Sequence, residues 1–255
     1  MNTAMKLPLS IFACLLLLCS CGEVREEITF HKDGSGTYDV SANTIPMMRQ
    51  MMEATVQMTA PEGETMDSVA MAAKVEEMVW KDFPDKIDSV ISLESDLTPD
   101  MRNDPEVMAL FNKTTAYMKG SRQEGFIKTG VKFDFDNSEE FLSFMKMIED
   151  KSQEEEQKNP LGKTKTELIV TPNSYVRTVA YTDRPDNDDE STALARMMLQ
   201  DMSMLTVLNF PKKIDKVDLV HYKVVERSER SIILKFDMLK ALEGDEKSEI
   251  RVTLK

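Results

Sequence analysis

Cysteine is nearly absent, and its placement matters more than its number. Cys14, Cys19 and Cys21 are the only three in 255 residues. If the chain is cut before Cys21 and that residue is acylated, no free thiol is left. That excludes an intramolecular disulfide, a cysteine metal site and a thiol nucleophile in the exported part. Histidine is as rare: His31 and His221 are the only two. They show no HxxH or HExxH spacing, which argues against a zinc site. Positive charge is in deficit, with 32 Lys+Arg against 45 Asp+Glu and a net charge of -13. Phosphate backbones are held by concentrated Lys and Arg, so nucleic acid is a poor partner. The nine glycines form no phosphate-cradling or dinucleotide pattern. No apolar run reaches the roughly 20 residues that a membrane-crossing helix needs. No repeat of about 20–50 residues is visible. With 41% hydrophobic and 30% charged residues, the chain still has enough apolar material for a core.

What the N-terminus does hold comes in an ordered series. Lys6 is followed by an apolar run from Leu7 to Leu18, then by Leu18-Cys19-Ser20-Cys21-Gly22. Charge, apolar length and a small residue before a cysteine resemble a bacterial lipobox. Residues 1–20 are therefore expected to be a lipoprotein signal peptide, and Cys21 the lipidated residue. A buried first strand or an ordinary cleaved signal is the alternative. Acyl chains on Cys21, palmitate among them, anchor stably, since each buried methylene contributes about 0.8 kcal/mol. Gly22, where an acidic residue marks inner-membrane retention, points to the outer membrane and its periplasmic face.

Along residues 21–255 a single exported domain is expected, with an internal boundary near 151–165 as the alternative. Glu26 to His31 alternates as a strand, and Asp33-Gly34-Ser35-Gly36 is a hairpin turn. Asn43, Thr44 and Pro46 start a helix carrying Met47, Met48, Met51 and Met52. Further helices are expected over Asp67–Phe83, Glu106–Met118, a stretch opened by Asn137 and Glu140, and Ser191–Met202. Leu97–Pro105 and Arg184–Asp189 read as loops, and Ile87–Leu93 as either strand or helix. Strands are expected at Gly125–Phe135, Thr166–Thr171, Ser174–Thr182, Leu205–Phe210, Tyr222–Glu226, Ser231–Asp237 and Ile250–Leu254. This order lacks regular βαβ alternation. The expected class is α+β, a mostly antiparallel sheet of hairpins with packed Met-rich helices.

Methionine is the one excess, with 20 residues. Met47, Met48, Met51 and Met52 could form a thioether site for cuprous copper. They serve equally as an adaptable apolar face, in the core or against a ligand or partner. The second reading is preferred, because methionines occur along all the expected helices and rarely beside histidine. Ser35 between two glycines lacks the wider G-x-S-x-G frame of a nucleophile elbow. Carboxylate pairs such as Asp134/Asp136 and Glu139/Glu140 carry little information in so acidic a chain.

Two segments carry a resemblance: Ile28 to Val40 with its DGSG turn, and Leu208-Asn209-Phe210-Pro211-Lys212-Lys213-Ile214. They resemble envelope lipoproteins of the Bacteroidota, and the layout is similar to LppM-type lipoproteins. The resemblance implies an envelope-associated α+β domain with a lipid-handling role, and transfers no functional residues. The expectation is a non-enzymatic, lipid-anchored envelope protein that binds a lipid or protein partner, without cofactor or metal. The alternatives are a hydrolase acting on envelope material through an unrecognised carboxylate site, or a purely structural assembly component.

Overall fold

The computed structural model describes residues 23–59, 67–94, 97–154, 163–182, 203–243 and 247–255. Strand β1 (Glu23–Phe30) turns at Asp33–Gly36 into β2 (Gly36–Asn43), in the expected hairpin. The turn is tight because Gly34 takes φ 90 and Asp33 accepts from the Ser35 amide and hydroxyl. Helices α1 (Ile45–Thr59) and α2 (Ser68–Trp80) follow. Asn43 accepts from the Ile45 amide at the start of α1, while the Thr44 hydroxyl donates to the Ile127 carbonyl. Asp67 caps α2 through the Val69 and Ala70 amides.

Ile87–Leu93 resolves as strand β3 (Lys86–Ile91). Two expectations then fail. Leu97–Pro105 is not all loop: Thr98 caps a short helix α3 (Pro99–Asn103), with proline in its first turn. The helix expected over Glu106–Met118 is α4 (Pro105–Asn112) and stops there. Lys113 leaves the helix at φ -95 and ψ 0, and Thr114 begins strand β4 (Thr114–Ser121). The threonines Thr114 and Thr115 favour strand, and pairing on both sides with β3 and β5 (Phe126–Phe135) overrides the helical spacing. Asn137 accepts from the Glu140 amide ahead of α5 (Ser138–Glu154). Glu140 reaches back to the Asp136 amide, so the cap closes one residue earlier than a capping box does.

Strands β6 (Lys163–Thr171) and β7 (Ser174–Thr182) pair around Pro172-Asn173 as expected. The Arg184–Asp189 loop and the Ser191–Met202 helix fall outside the described residues. β8 (Ser203–Asn209), β10 (Tyr222–Arg227), β11 (Ser231–Phe236) and β12 (Lys247–Leu254) match the expected strands, and α6 (Met238–Glu243) is short. Strand β9 (Ile214–Val220) is not expected, because Asp215, Lys216 and Asp218 break its apolar alternation.

The strands form two sheets. The larger runs β10-β11-β8-β1-β2-β5-β4-β3, the smaller β6-β7-β12-β9. Among the described residues every pairing is antiparallel except β1 with β8. The α+β expectation therefore holds in the coarse sense of a mainly antiparallel sheet protein with helices. The inner face of the large sheet carries Val24, Ile28, Tyr38, Val40, Phe133, Phe135, Leu208 and Leu234. Tyr175, Ile250 and Val252 of the small sheet, and Phe141 and Phe144 of α5, complete the same core. Phe144 stacks on Phe133 with centroids 3.9 Å apart. Toward β3 the inner face is covered by α1 and α2, where Ile45, Val56, Val75, Val79 and Trp80 meet Ile87 and Ile127.

Candidate functional site

Because side chains alternate along a strand, filling one face of the large sheet leaves the other polar. On the outer face β1 places Arg25, Glu27 and Thr29 opposite Ser41, Asp39 and Thr37 of β2. β5 adds Lys128, Gly130 and Lys132, β4 adds Tyr117 and Lys119, and edge strand β3 adds Val90. The Tyr117 hydroxyl reaches from β4 across β5 to donate to Asp39, 2.8 Å from Oδ1 and 3.0 Å from Oδ2. It can do so because Gly130 lies beneath the ring. A Cβ there would stand 2.6 Å from Tyr117 Cζ and 2.9 Å from Ser41 Cβ. Burial, then the Asp39 bond, raises the Tyr117 hydroxyl above its ordinary pKa, so it stays protonated and donating.

Beside this tyrosine is a cleft of about 230 Å³ lined by Arg25, Glu27, Thr29, Thr37, Asp39, Ser41 and Lys128. Its groups are held in place. Arg25 Nε is 3.4 Å from Glu27 Oε2. Asn209 donates to Glu27 at 3.0 Å and to Thr29 at 3.1 Å. Thr37 donates to Asp134 at 3.1 Å. A wider, open cleft of about 740 Å³ lies at the β3–β4 end, among Asp85, Lys86, Asp88, Lys119, Arg122 and Glu124. The smaller cleft is lined by polar and charged side chains alone, while the larger also exposes Ile87 and Phe126.

The methionines singled out in the sequence do not act as one face. Met48 and Met52 pack against the α1–α2 cluster, while Met51 is 57% exposed. Met47 is half-buried. Cys21 lies outside the described residues. His31 is exposed at the β1–β2 turn, its Nδ1 3.0 Å from Ser35 Oγ. The Ser35 hydroxyl in turn donates to Asp33 at 2.7 Å. The carboxylate thus holds the serine instead of orienting the histidine, and a relay that activates the hydroxyl is not formed. His221 sits at φ 61 where the chain passes from β9 to β10. Among the described residues no three His, Cys, Asp or Glu side chains converge as a metal site.

One polar constellation went unseen in the sequence. Glu26 points inward from β1 and receives two bonds from Arg177 Nη1 of β7, at 2.7 and 2.6 Å. Thr206 of β8 accepts from Arg177 Nη2 and donates to Glu26, each at 3.1 Å. Burial raises the hydroxyls of Tyr38, Tyr175 and Tyr222 around this pair. Its signal was present: Glu26 stands at an inward position between Val24 and Ile28. The carboxyls of Asp33, Glu76, Asp215 and Asp237 are all held below their ordinary range. Ser35, Arg49, Lys255 and Lys223 respectively do this by hydrogen bonding. A general acid requires the opposite shift.

No protein-family model matches the sequence, and no curated protein matches it either. Among solved structures the chain is similar to the folded domain of LppM from Mycobacterium tuberculosis, determined by NMR. The TM-score is 0.39 and the identity 11%, over 92% of this chain and 90% of that one.

Proposed function

We propose that this chain is a lipid-anchored protein of the cell envelope whose domain binds a partner and catalyses no reaction. Cys21 is the anchor, and the outer membrane, facing the periplasm, is its place. The observation that carries the binding role is the outer sheet face. Tyr117 is laid over Gly130 and fixed to Asp39, so a rigid surface is presented at little entropic cost. The lipid or protein partner expected from the sequence narrows to one with polar contact groups, since the cleft beside Tyr117 is lined by charged and hydroxyl side chains. Strand β1 begins at Glu23, two residues after Cys21, so the lipid holds the domain against the membrane. Among the described residues no helix is long and apolar enough to cross a bilayer.

The test is fractionation of cells expressing the chain or Cys21→Ala. The unaltered chain is expected to stay in the membrane fraction through a carbonate wash, and the variant to be released in folded form. Retention of the variant would overturn the anchor.

A further inference from the structure

Charge on the outer face of the large sheet is sorted along the strands. Register places the starts of β1, β3, β5, β8 and β10 and the ends of β2, β4 and β11 at one end of the sheet. The outer-face rows nearest that end hold Arg25, Lys86, Lys119, Lys128, Lys223 and Lys235, against Glu23 and Asp88. In the adjoining β4–β5 turn Arg122 and Asp85 offset each other at 3.7 Å, which leaves Glu124. The rows beyond hold Glu27, Asp39, Asp134 and Glu226, against Lys132. A basic band thus stands out in a chain whose net charge is -13. Within the band lysines face lysines. Lys119 is the cross-strand partner of Lys128, and Lys223 of Lys235. Like charges directly opposite destabilise a sheet. The acidic pair Glu27 and Asp39 is relieved by Arg25, Asn209 and Tyr117. The lysines are not relieved in this way. Asp237 reaches Lys223 at 2.9 Å, but among the described residues no carboxylate is ion-paired with Lys119, Lys128 or Lys235. The Lys119 ammonium has only the uncharged Tyr117 ring, 5.5 Å from its centre.

Lys119 and Lys235 stand five strands apart in the sheet, about 24 Å at about 4.8 Å per strand. A small anion does not span that distance, but an anionic plane does. The anchor supplies one, because β1 begins two residues after Cys21. Arg25 lies about 7 Å along β1 from its start, and Glu27 about 14 Å. Charges are screened over about 8–10 Å at physiological salt, so a bilayer at the start of β1 acts on the basic rows and is screened from the acidic ones. We propose that this end of the outer sheet face docks on the anionic phospholipid headgroups of the membrane that holds the anchor. The basic band lies toward the phosphates and the acidic rows point away, so the domain is held in one orientation on its lipid. The headgroups also offset the repulsion between facing lysines. The inference rests on the reading of Cys21 as the anchor, and names the surface that the domain meets.

The experiment reconstitutes the full chain with vesicles of phosphatidylcholine alone, or of equal parts phosphatidylcholine and phosphatidylglycerol. Both carry a dansyl group on some headgroups as energy acceptor. The donor is Trp80, the only tryptophan, which packs with Ile87 and Ile127 at the basic end. Transfer is expected to be greater with phosphatidylglycerol, and that gain to be lost in about 1 M salt. Lys119→Gln with Lys128→Gln and Lys235→Gln should abolish the gain. These side chains are exposed or half-buried, and neutralising them relieves repulsion, so the variant keeps its fold. Lys32→Gln with Lys212→Gln and Arg230→Gln changes the net charge equally, at exposed positions on the opposite end of the sheet, and should keep the gain. Equal transfer to both kinds of vesicle overturns the proposal. So does a gain that the first variant keeps, or that the second also loses. The carbonate wash of Cys21→Ala tests the anchor separately. Release of that variant with no phosphatidylglycerol gain overturns the docking alone, and its retention with the gain intact overturns the anchor alone.

Discussion

Gly36 and Gly34 sit two residues apart in one turn and are glycine for different reasons. A Cβ on Gly36 would lie 2.1 Å from the Thr29 carbonyl oxygen and 2.3 Å from the Phe135 ring. Neither the backbone of β1 nor that packed ring can withdraw. Gly36→Ala is expected to cost about 3 kcal/mol, read as a lower denaturant midpoint. Gly34 has open space around it but φ 90, so Gly34→Ala should cost only about 1 kcal/mol of backbone strain. Equal losses at the two positions would refute this distinction. The turn itself was readable from Asp33-Gly34-Ser35-Gly36, because turn chemistry is local. Tyr117 was not readable as a surface residue. It lay in a segment whose spacing suggested helix, and only pairing with Val90 and Gly130 on the strands either side puts it on the outer face.

At the scale of elements, α1 and α2 are joined by one polar clasp over an apolar seam. Arg49 Nε lies 3.0 Å from Glu76 Oε2, and Glu76 Oε1 accepts from the Trp80 indole at 2.9 Å. Arg49 in particular holds the Glu76 carboxyl below its ordinary 4.5, with Trp80 adding to it. A carboxyl lowered in the folded state stabilises fully above its unfolded value, and loses that contribution as pH falls through the folded one. The clasp should therefore stabilise in full above about pH 4.5 and open only as pH falls through the lowered folded value. Trp80 is the only tryptophan, so its emission reports the change directly. Glu76→Gln should abolish that acid step, and an unchanged step in the variant would exclude the clasp as its source. The same helices separate the methionines. Met48 packs against the seam, so Met48→Asp should cost about 2–4 kcal/mol by placing a charge there. Met51 is exposed, and Met51→Asp should stay within about 0.5 kcal/mol by thermal or denaturant melting. The sequence placed both on one helix, correctly, but the packed face depends on where α2 and Ile127 lie. Hairpins with local turns, β1–β2 and β6–β7, were readable for the same reason as the DGSG turn. Strand β9 was not, because its charges obey the edge of a sheet assembled by distant pairing with β12.

Across the whole molecule, the two sheets meet around a charge pair that neither sheet shows by itself. Glu26 and Arg177 are 3% and 5% exposed, from strands 151 residues apart in sequence. Two buried charges lose their hydration, and their mutual attraction repays that loss only when every polar atom is satisfied. Here Glu26 is well served by Arg177 and Thr206, but Arg177 Nε and the Tyr175 hydroxyl have no partner among the described residues. The pair should thus contribute little net stability while being costly to break. Glu26→Gln leaves the Arg177 cation unpaired inside the core and is expected to destabilise by about 3–5 kcal/mol. Against a total of about 5–15 kcal/mol this brings the protein near unfolding. Replacing the network by apolar groups of similar size, Glu26→Met with Arg177→Met and Thr206→Val, removes the desolvation loss with the charges. That triple variant should match the native protein or exceed it by about 1–4 kcal/mol. Denaturant midpoints at unchanged slope decide between the two accounts. A triple variant as weak as Glu26→Gln would mean that the pair contributes net attraction and that the two sheets depend on it.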